Sequence, residues 1–209
     1  MKAYLFDFDG TLVDTMEGFA DIAGFAINRD HPEMSFEEAR HNYIQTSGVP
    51  FCQQIEIIFP NHPANAGTVE YFEKTKIEGF FGQKFHDDVR FAINSLRQRG
   101  DLAGVSSGNF PDLINQFVEK EKLEFDIVMG FEAEKGFEKG KPHFDFFLEK
   151  FGLDKKDLTF VGDSLKDSDK AFEYGIDFIG VCGLFSHEQF EARHANAKTV
   201  QNIKEILSI

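Results

Sequence analysis

The sequence predicts an α/β fold with a doubly wound parallel sheet, because short apolar runs alternate with helical patterns along most of the chain. Five runs are hydrophobic throughout, which is typical of strands covered on both faces. These predicted strands are residues 3–8, 102–106, 127–131, 158–162 and 178–182. Right-handed crossovers would then place the binding crevice beyond the carboxyl ends of the strands.

Helical patterns fill the gaps between these strands, and a longer helical stretch separates the first strand from the second. Helices are predicted at residues 87–99, 109–120, 142–151, 164–174 and 186–194. Four further segments lie at 15–27, 35–45, 51–59 and 68–79. We therefore predict two domains: a core of residues 1–13 and 83–209, and a small all-helical insert of residues 14–82.

Length and charge exclude several classes of protein. With 209 residues and 42% hydrophobic content, the chain can bury one full core plus a small appended domain. The 22 basic and 36 acidic residues give a net charge of −14, so neither a nucleic-acid polymer nor an anionic membrane is expected as a partner. A phosphate group would have to be bound locally, by a metal ion, a lysine and backbone N–H groups.

The cysteines and the first residues indicate a cytoplasmic protein. Cys52 and Cys182 form no CxxC pair, which fits a reducing compartment. Asp7 and Asp9 interrupt the first apolar run before it could serve as a signal sequence or membrane span. The seven histidines show no spacing typical of zinc sites, so we interpret them as surface or core residues.

Two acids follow the first predicted strand in the segment DFDGT. Strand alternation would put Asp7 and Asp9 on the same side, and a turn at Gly10 would leave both at the carboxyl edge. An ordinary turn could explain one of these acids. Two carboxylates so close repel each other, which favours a cation between them.

A second acidic segment, which contains Asp163 and Asp167, follows the strand at 158–162 in the same way. Alone it is equally consistent with a helix N-terminus, where Asp and Ser are common. Together, Asp7, Asp9 and Asp163 would supply the hard oxygen ligands that Mg²⁺ prefers.

Serines follow the strand at 102–106. The hydroxyl and N–H groups of Ser106, Ser107 and Gly108 could bind phosphate oxygens at the same edge. Serine-glycine turns are common in loops, however. The segment alone is therefore more often structural.

A lysine near the predicted helix at 142–151 could neutralise a phosphoryl group. We favour Lys141, because Pro142 after it fixes the helix start. Lys135 and Lys139 lie close by and remain alternatives.

These segments, in order, resemble the haloacid dehalogenase superfamily of hydrolases, in its phosphoglycolate phosphatase-like branch with a helical C1 cap. The four motifs are DFDGT, VSSGN, GKP and VGDSLKD, and they span nearly the whole chain in the order typical of the family. The resemblance implies a Rossmann-like core, with the insert as a cap that closes over the site.

The resemblance also implies residue roles. Asp7 would be the nucleophile that forms an aspartyl-phosphate, and Asp9 would act as general acid and then as general base. Mg²⁺ would be held by Asp7, the Asp9 carbonyl and Asp163. Ser106 and Lys141 would hold the phosphoryl group. Asp167 would act on metal-bound water or on Lys141.

The expected function is therefore a Mg²⁺-dependent phosphatase of a small phosphorylated metabolite. Aspartate at position 9 argues against dehalogenases and phosphonate-cleaving relatives, which lack it. A sugar phosphomutase is an alternative, but Phe19 lies near the position where one type carries a histidine. A non-catalytic phosphate-binding protein is a second alternative, which the complete motif set opposes.

The sequence leaves the substrate open among phosphoglycolate, a sugar phosphate and a nucleotide monophosphate. Gln45 and Thr46 are candidate substrate-binding residues, because a loop containing Gly48 and Pro50 lies beside them. Taken one by one, these residues are more often part of a solvated helix face. Monomer and homodimer both remain open.

Overall fold

In the computed structural model, which describes residues 1–209, the chain divides into two units. One comprises residues 1–13 and 85–209, and the other residues 14–84. The second boundary lies two residues later than the sequence analysis placed it. We call the first unit the core and the second the helical insert.

The core contains one six-stranded sheet in which all strands are parallel, in the order β3-β2-β1-β4-β5-β6. The strands are β1 Ala3–Phe6, β2 Leu102–Ser106, β3 Ile127–Met129, β4 Leu158–Gly162, β5 Asp177–Val181 and β6 Lys198–Val200. The predicted α/β fold is confirmed. β6 was not predicted, because three residues that begin with lysine carry no apolar run.

The helices are longer or shorter than predicted by a few residues. They are α1 Met16–Asp30, α2 Phe36–Gln45, α3 Phe51–Ile58, α4 Asn65–Phe80, α5 Asp87–Gln98, α6 Pro111–Glu121, α7 Lys141–Phe151, α8 Leu165–Tyr174 and α9 His187–Arg193. The first four form the helical insert. Short 3₁₀ segments lie at Ala133–Lys135, Lys155–Asp157 and Ile203–Ser208. None of the helices combines the length and the apolar character needed to cross a membrane.

Sheet register brings the ends of three strands level with one another. Phe6 of β1 pairs with Val105 of β2 and with Val161 of β4. The N–H of Asp7 continues this ladder with a 2.8 Å hydrogen bond to the Val161 carbonyl oxygen. Asp7 and Ser106 are therefore neighbours at the carboxyl edge, where β1 joins the two halves of the sheet.

Helix α7 covers the sheet face on which Asp7 and Ser106 lie. A Cβ atom on Gly104 would come within 2.8 Å of the Phe147 ring and 3.0 Å of Leu5. Leu5 and Asp7 alternate onto the same face of β1, as Gly104 and Ser106 do on β2. The N-terminus of α7 therefore approaches the sheet edge from this face.

Candidate active site

Three buried carboxylates meet at the carboxyl edge of the sheet. Asp7, Asp163 and Asp167 each place one carboxylate oxygen within 4.8 Å of the others. Asp7 follows β1, Asp163 follows β4, and Asp167 lies in the first turn of α8. The structure brings Asp163 next to Asp7, as the sequence analysis expected. We call these three residues the acid cluster.

The two oxygens of Asp7 have different surroundings. Oδ1 accepts a 2.7 Å hydrogen bond from the N–H of Phe8 and lies 2.9 Å from Nζ of Lys139. No hydrogen bond reaches Oδ2. Burial raises the pKa of the Asp7 carboxyl to about 7, a rise opposed by Lys139 and increased by the charges of Asp167 and Asp9.

Lys139 is the cation of the acid cluster. Its Nζ lies 2.9 Å from Oδ1 of Asp7 and 2.9 Å from Oδ1 of Asp167, and its side chain is 5% exposed. Burial alone would lower the pKa of this lysine, but the charges of Asp167 and Asp7 raise it above its ordinary value. Lys139 therefore stays protonated between two acids.

The sequence analysis favoured Lys141 for this position, but the structure places its alternative, Lys139, there. Lys141 is 73% exposed and pairs with Asp145 one turn along α7. Pro142 fixes the start of the helix, but this makes Lys141 its first residue, with a side chain on the outer surface. Gly140 has φ of 113°, a conformation that favours glycine, so the chain turns sharply between the two lysines.

A capping box orients Asp167. Ser164 Oγ accepts a 3.1 Å hydrogen bond from the N–H of Asp167 and donates a 2.6 Å bond to its Oδ2, which leaves Oδ1 for Lys139. A Cβ atom on Gly162 would lie 2.7 Å from Cβ of Asp167, so glycine makes room for this acid. The sequence analysis placed Asp167 outside the metal ligands, whereas the structure places it in the acid cluster.

Asp163 carries an unsatisfied oxygen. Its Oδ1 accepts a 3.3 Å hydrogen bond from the Thr11 hydroxyl, while Oδ2 is buried and has no hydrogen-bond partner. Burial and the charges of Asp7 and Asp167 raise the pKa of this carboxyl well above its ordinary value. A buried carboxylate without a donor is costly, and a divalent cation would offset that cost.

The Asp9 carboxylate does not belong to the acid cluster. Its Oδ2 accepts a 2.6 Å hydrogen bond from Nδ2 of Asn109, and the side chain is only partly buried. The expected alternation from Asp7 to Asp9 fails because β1 ends at Phe6 and Gly10 has φ of 75°. A metal contact from Asp9 could therefore come only from its carbonyl oxygen, as the resemblance implied.

The serines after β2 are buried and already bonded. The Ser106 hydroxyl lies 2.8 Å from Nδ1 of His143. Ser107 Oγ accepts a 3.1 Å bond from the N–H of Asn109, and the N–H of Ser107 donates to the Met129 carbonyl at 3.0 Å. The expected phosphate donor at the N–H of Ser107 is therefore engaged within the core. Gly108 lies in the same turn.

The two candidate substrate residues of the helical insert are placed differently. Gln45 is exposed at the end of α2. Thr46 Oγ1 lies 2.7 Å from the Asn42 carbonyl oxygen and 2.9 Å from Oε1 of Gln54, both within the insert. Contact of either residue with substrate stays a prediction, as does the role of the insert as a cap.

The sequence analysis kept Lys139 only as an alternative and missed Asn109 and His143 as site residues. Asn109 was only the first residue of the predicted helix 109–120, whereas α6 begins two residues later. His143 was grouped with surface or core histidines, and no sequence spacing distinguishes it.

Comparison with known proteins assigns this site to a family. The sequence matches the family described as haloacid dehalogenase-like hydrolase over residues 4–181. The chain belongs to this family. The matched residues include the acid cluster and Lys139, so the site described above lies in the part that defines a haloacid dehalogenase-like hydrolase.

Solved structures share the whole fold at low sequence identity. A predicted phosphatase from Clostridium acetobutylicum has a TM-score of 0.81 at 22% identity, covering 100% of this chain and 99% of its own. A protein from Bacteroides fragilis, described provisionally as a haloacid dehalogenase-like hydrolase, has 0.82 at 19%, covering 98% and 99%. A predicted phosphoglycolate phosphatase from Haemophilus somnus 129pt has 0.75 at 18%, covering 100% and 97%. No curated protein matches the sequence.

Proposed function

We propose that this hydrolase is a Mg²⁺-dependent phosphatase of a small phosphorylated metabolite and that Asp7 is its nucleophile. The observation that carries the proposal is the meeting of the Asp7, Asp163 and Lys139 side chains at one sheet edge. Structural relatives named as phosphatases support the reaction class. Phosphoglycolate and sugar phosphates are the substrates to test first.

The acid cluster fits Mg²⁺. Asp7 and Asp163 would hold the ion with the Asp9 carbonyl, and the unsatisfied Oδ2 of Asp163 is the oxygen that most needs a cation. When bound, Mg²⁺ supplies positive charge that offsets repulsion between the Asp7 carboxylate and the phosphoryl oxygens. Asp167 pairs with Lys139. We therefore assign Asp167 as a partner of this lysine and not as a metal ligand.

In the first step Oδ2 of Asp7 attacks phosphorus, because two donors already engage Oδ1. The P–O bond to the leaving group breaks, and protonated Asp9 gives its proton to the departing alkoxide. Lys139 neutralises charge on the phosphoryl oxygens, the role that the resemblance assigned to Lys141. Asp7 then carries the phosphoryl group.

In the second step water attacks phosphorus and Asp9, now ionised, accepts its proton. The P–O bond to Asp7 breaks, which releases phosphate and restores both carboxyl groups to their starting states. In the structure, Oδ2 of Asp9 accepts a hydrogen bond from Nδ2 of Asn109. Two unpaired cysteines agree with a cytoplasmic enzyme, and both monomer and homodimer fit the proposal.

The test is hydrolysis of p-nitrophenyl phosphate with and without Mg²⁺. Asp7→Asn should lower turnover at least about 1,000-fold, because an amide is a poor nucleophile. Asp145→Asn is the matched control, since Asp145 is an exposed acid outside the site. Substantial turnover by Asp7→Asn, or full wild-type turnover in EDTA, would contradict the proposal.

A further inference from the structure

The amide side chain of Asn109 contacts the carboxylate that the proposed reaction uses as acid and base. Its Nδ2 atom donates a 2.6 Å hydrogen bond to Oδ2 of Asp9, which lies 100 positions away in the sequence. The amide nitrogen can only donate and an ionised carboxylate can only accept, so the direction of this bond is fixed. None of the roles assigned above uses Asn109.

The backbone of Asn109 is held on both sides by the ends of two strands. Its N–H donates to Oγ of Ser107 at 3.1 Å, and its carbonyl oxygen accepts a 2.8 Å bond from the N–H of Phe131, shortly after β3. A Cβ atom on Gly130 would lie 2.5 Å from this carbonyl oxygen, so glycine allows the close approach. Asn109 is 5% exposed. Its amide is therefore a donor fixed by the core and not a solvated side chain.

The Asp9 carboxyl group lies beyond the end of its own strand. β1 ends at Phe6, and Asp9 stands in the turn where Gly10 has φ of 75°. The Asp9 side chain is only partly buried, and a hydrogen bond selects among the rotamers open to such a side chain. A general acid must lie within hydrogen-bond reach of the atom that it protonates, so the direction of this carboxyl group matters for the reaction.

We propose that Asn109 is a positioning residue that orients the Asp9 carboxyl group toward the leaving-group oxygen by holding its Oδ2 atom. The inference rests on the proposed phosphatase reaction, in which Asp9 protonates the departing alkoxide. The carbonyl oxygen of a carboxylic acid is its stronger acceptor, so the amide bond at Oδ2 assigns the acidic proton to Oδ1. Oδ1 is then the atom that gives its proton to the leaving group. Asn109 acts through Asp9 and does not contact the substrate.

The experiment compares two phosphate esters of similar shape whose leaving groups depend differently on a proton. 4-Nitrophenolate departs readily without protonation, whereas the more basic phenolate of phenyl phosphate gains from a general acid. Asn109→Leu removes the amide donor and keeps a similar size and the backbone bonds. It should lower kcat/KM at least about 10-fold more for phenyl phosphate than for p-nitrophenyl phosphate. This ratio is informative because kcat/KM covers only the steps up to departure of the leaving group.

Asn115→Leu is the matched control, because Asn115 is an exposed asparagine on α6 outside the site. It should not alter the ratio of the two kcat/KM values. Equal losses on both esters in Asn109→Leu would indicate a general structural defect and overturn the inference. Absence of wild-type hydrolysis of both esters would instead overturn the proposed phosphatase.

A double-mutant cycle separates action through Asp9 from direct contact with the substrate. In an Asp9→Ala background, Asn109→Leu should have no further effect on phenyl phosphate, because no carboxyl group remains to be oriented. Single-turnover measurements keep the slow rates of this background accessible. A loss from Asn109→Leu of the same size in both backgrounds would show that Asn109 acts without Asp9, which would overturn the inference.

A spectroscopic measurement checks the contact without any turnover. The side-chain ¹⁵N–¹H signals of Asn109, identified by their absence in Asn109→Leu, should shift in Asp9→Ala because the charged acceptor is removed. They should keep their positions in Asp145→Asn, which changes an exposed acid outside the site. Signals at the same positions in the wild type and Asp9→Ala would contradict the proposed orienting bond.

Discussion

Lys139 and Lys141, which are separated only by Gly140, lie in opposite surroundings, one buried and one exposed. Lys139 lies between Asp7 and Asp167 and is 5% exposed, whereas Lys141 pairs with Asp145 and is 73% exposed. Each lysine has at least one carboxylate partner. The two pairs differ in strength, because solvent screens the exposed Lys141–Asp145 pair and does not screen the buried pairs of Lys139.

The sharpest test of this difference is activity. Lys139→Ala should lower kcat about 100- to 1,000-fold, because the charge that neutralises the phosphoryl group is lost. Lys141→Ala should leave kcat within about twofold, since its side chain is solvated on the surface of α7. Both are measured with p-nitrophenyl phosphate. Similar losses in the two variants would remove the distinction between the lysines.

Stability should separate the lysines as well. Lys139→Ala leaves Asp7 and Asp167 buried without their cation, so the free energy of unfolding should fall by about 3–5 kcal/mol. Lys141→Ala breaks an exposed pair and should cost at most about 0.5 kcal/mol. Urea denaturation without added metal gives both values. A small change on removing Lys139 would mean that the acids are protonated in the folded protein.

Mg²⁺ is a second cation that should stabilise the buried acid cluster and leave the exposed Asp145 unaffected. Mg²⁺ at about 100 times its dissociation constant should stabilise the wild type by about 2.7 kcal/mol, because it binds only the folded acid cluster. Asp163→Asn should remove most of this gain, since Asp163 supplies the unsatisfied oxygen. Asp145→Asn should keep it. Thermal unfolding with and without Mg²⁺ provides the measurement, and an equal gain in Asp163→Asn would place the ion elsewhere.

The smallest expected effect concerns pH and lies on the first turn of α7, where Lys141 is exposed and His143 is buried. Folding lowers the pKa of His143 to about 3, below its ordinary value of about 6.5. Below pH ~6.5 the unfolded chain binds a proton that the folded chain does not, so stability falls as pH falls. The decline from about pH 7.5 to 5 should be about 2 kcal/mol greater in the wild type than in His143→Gln.

Exposed His187 provides the control for this pH effect. His187→Gln should show the same decline as the wild type, because the His187 side chain is 48% exposed and lies outside the buried site. Other groups that titrate in this range are common to all three proteins and cancel. Urea denaturation at the two pH values gives the difference, and parallel curves for His143→Gln and the wild type would contradict a neutral His143.

The sequence predicted the fold well because its signals are local and repeated. Apolar runs marked five of six strands, and only Lys198–Val200 escaped, since three residues at a sheet edge carry too little pattern. The meeting of Asp7 with Asp163 also followed from pattern. Both residues come directly after central strands, and parallel strands end at one edge.

The remaining details of the site depend on the direction of individual side chains, which a local sequence pattern does not specify. Lys139 and Lys141 differ by two positions, and the φ of Gly140 decides which of them enters the core. Asp9 does not lie on the same side as Asp7, as strand alternation would predict, because β1 ends at Phe6. His143 is recognised as a site residue only in the structure, where its ring nitrogens contact the Ser106 hydroxyl and the Gly130 carbonyl oxygen.

The capping box at the start of α8 ties helix formation to the charge balance of the site. The Oδ2 atom of Asp167 that accepts from Ser164 belongs to the same carboxylate whose Oδ1 holds Lys139. Fraying of this helical turn would therefore remove one of the two carboxylates that pair with Lys139. Amide hydrogen exchange at the beginning of α8 should thus slow whenever an anion or metal ion locks Lys139 and its neighbours in place.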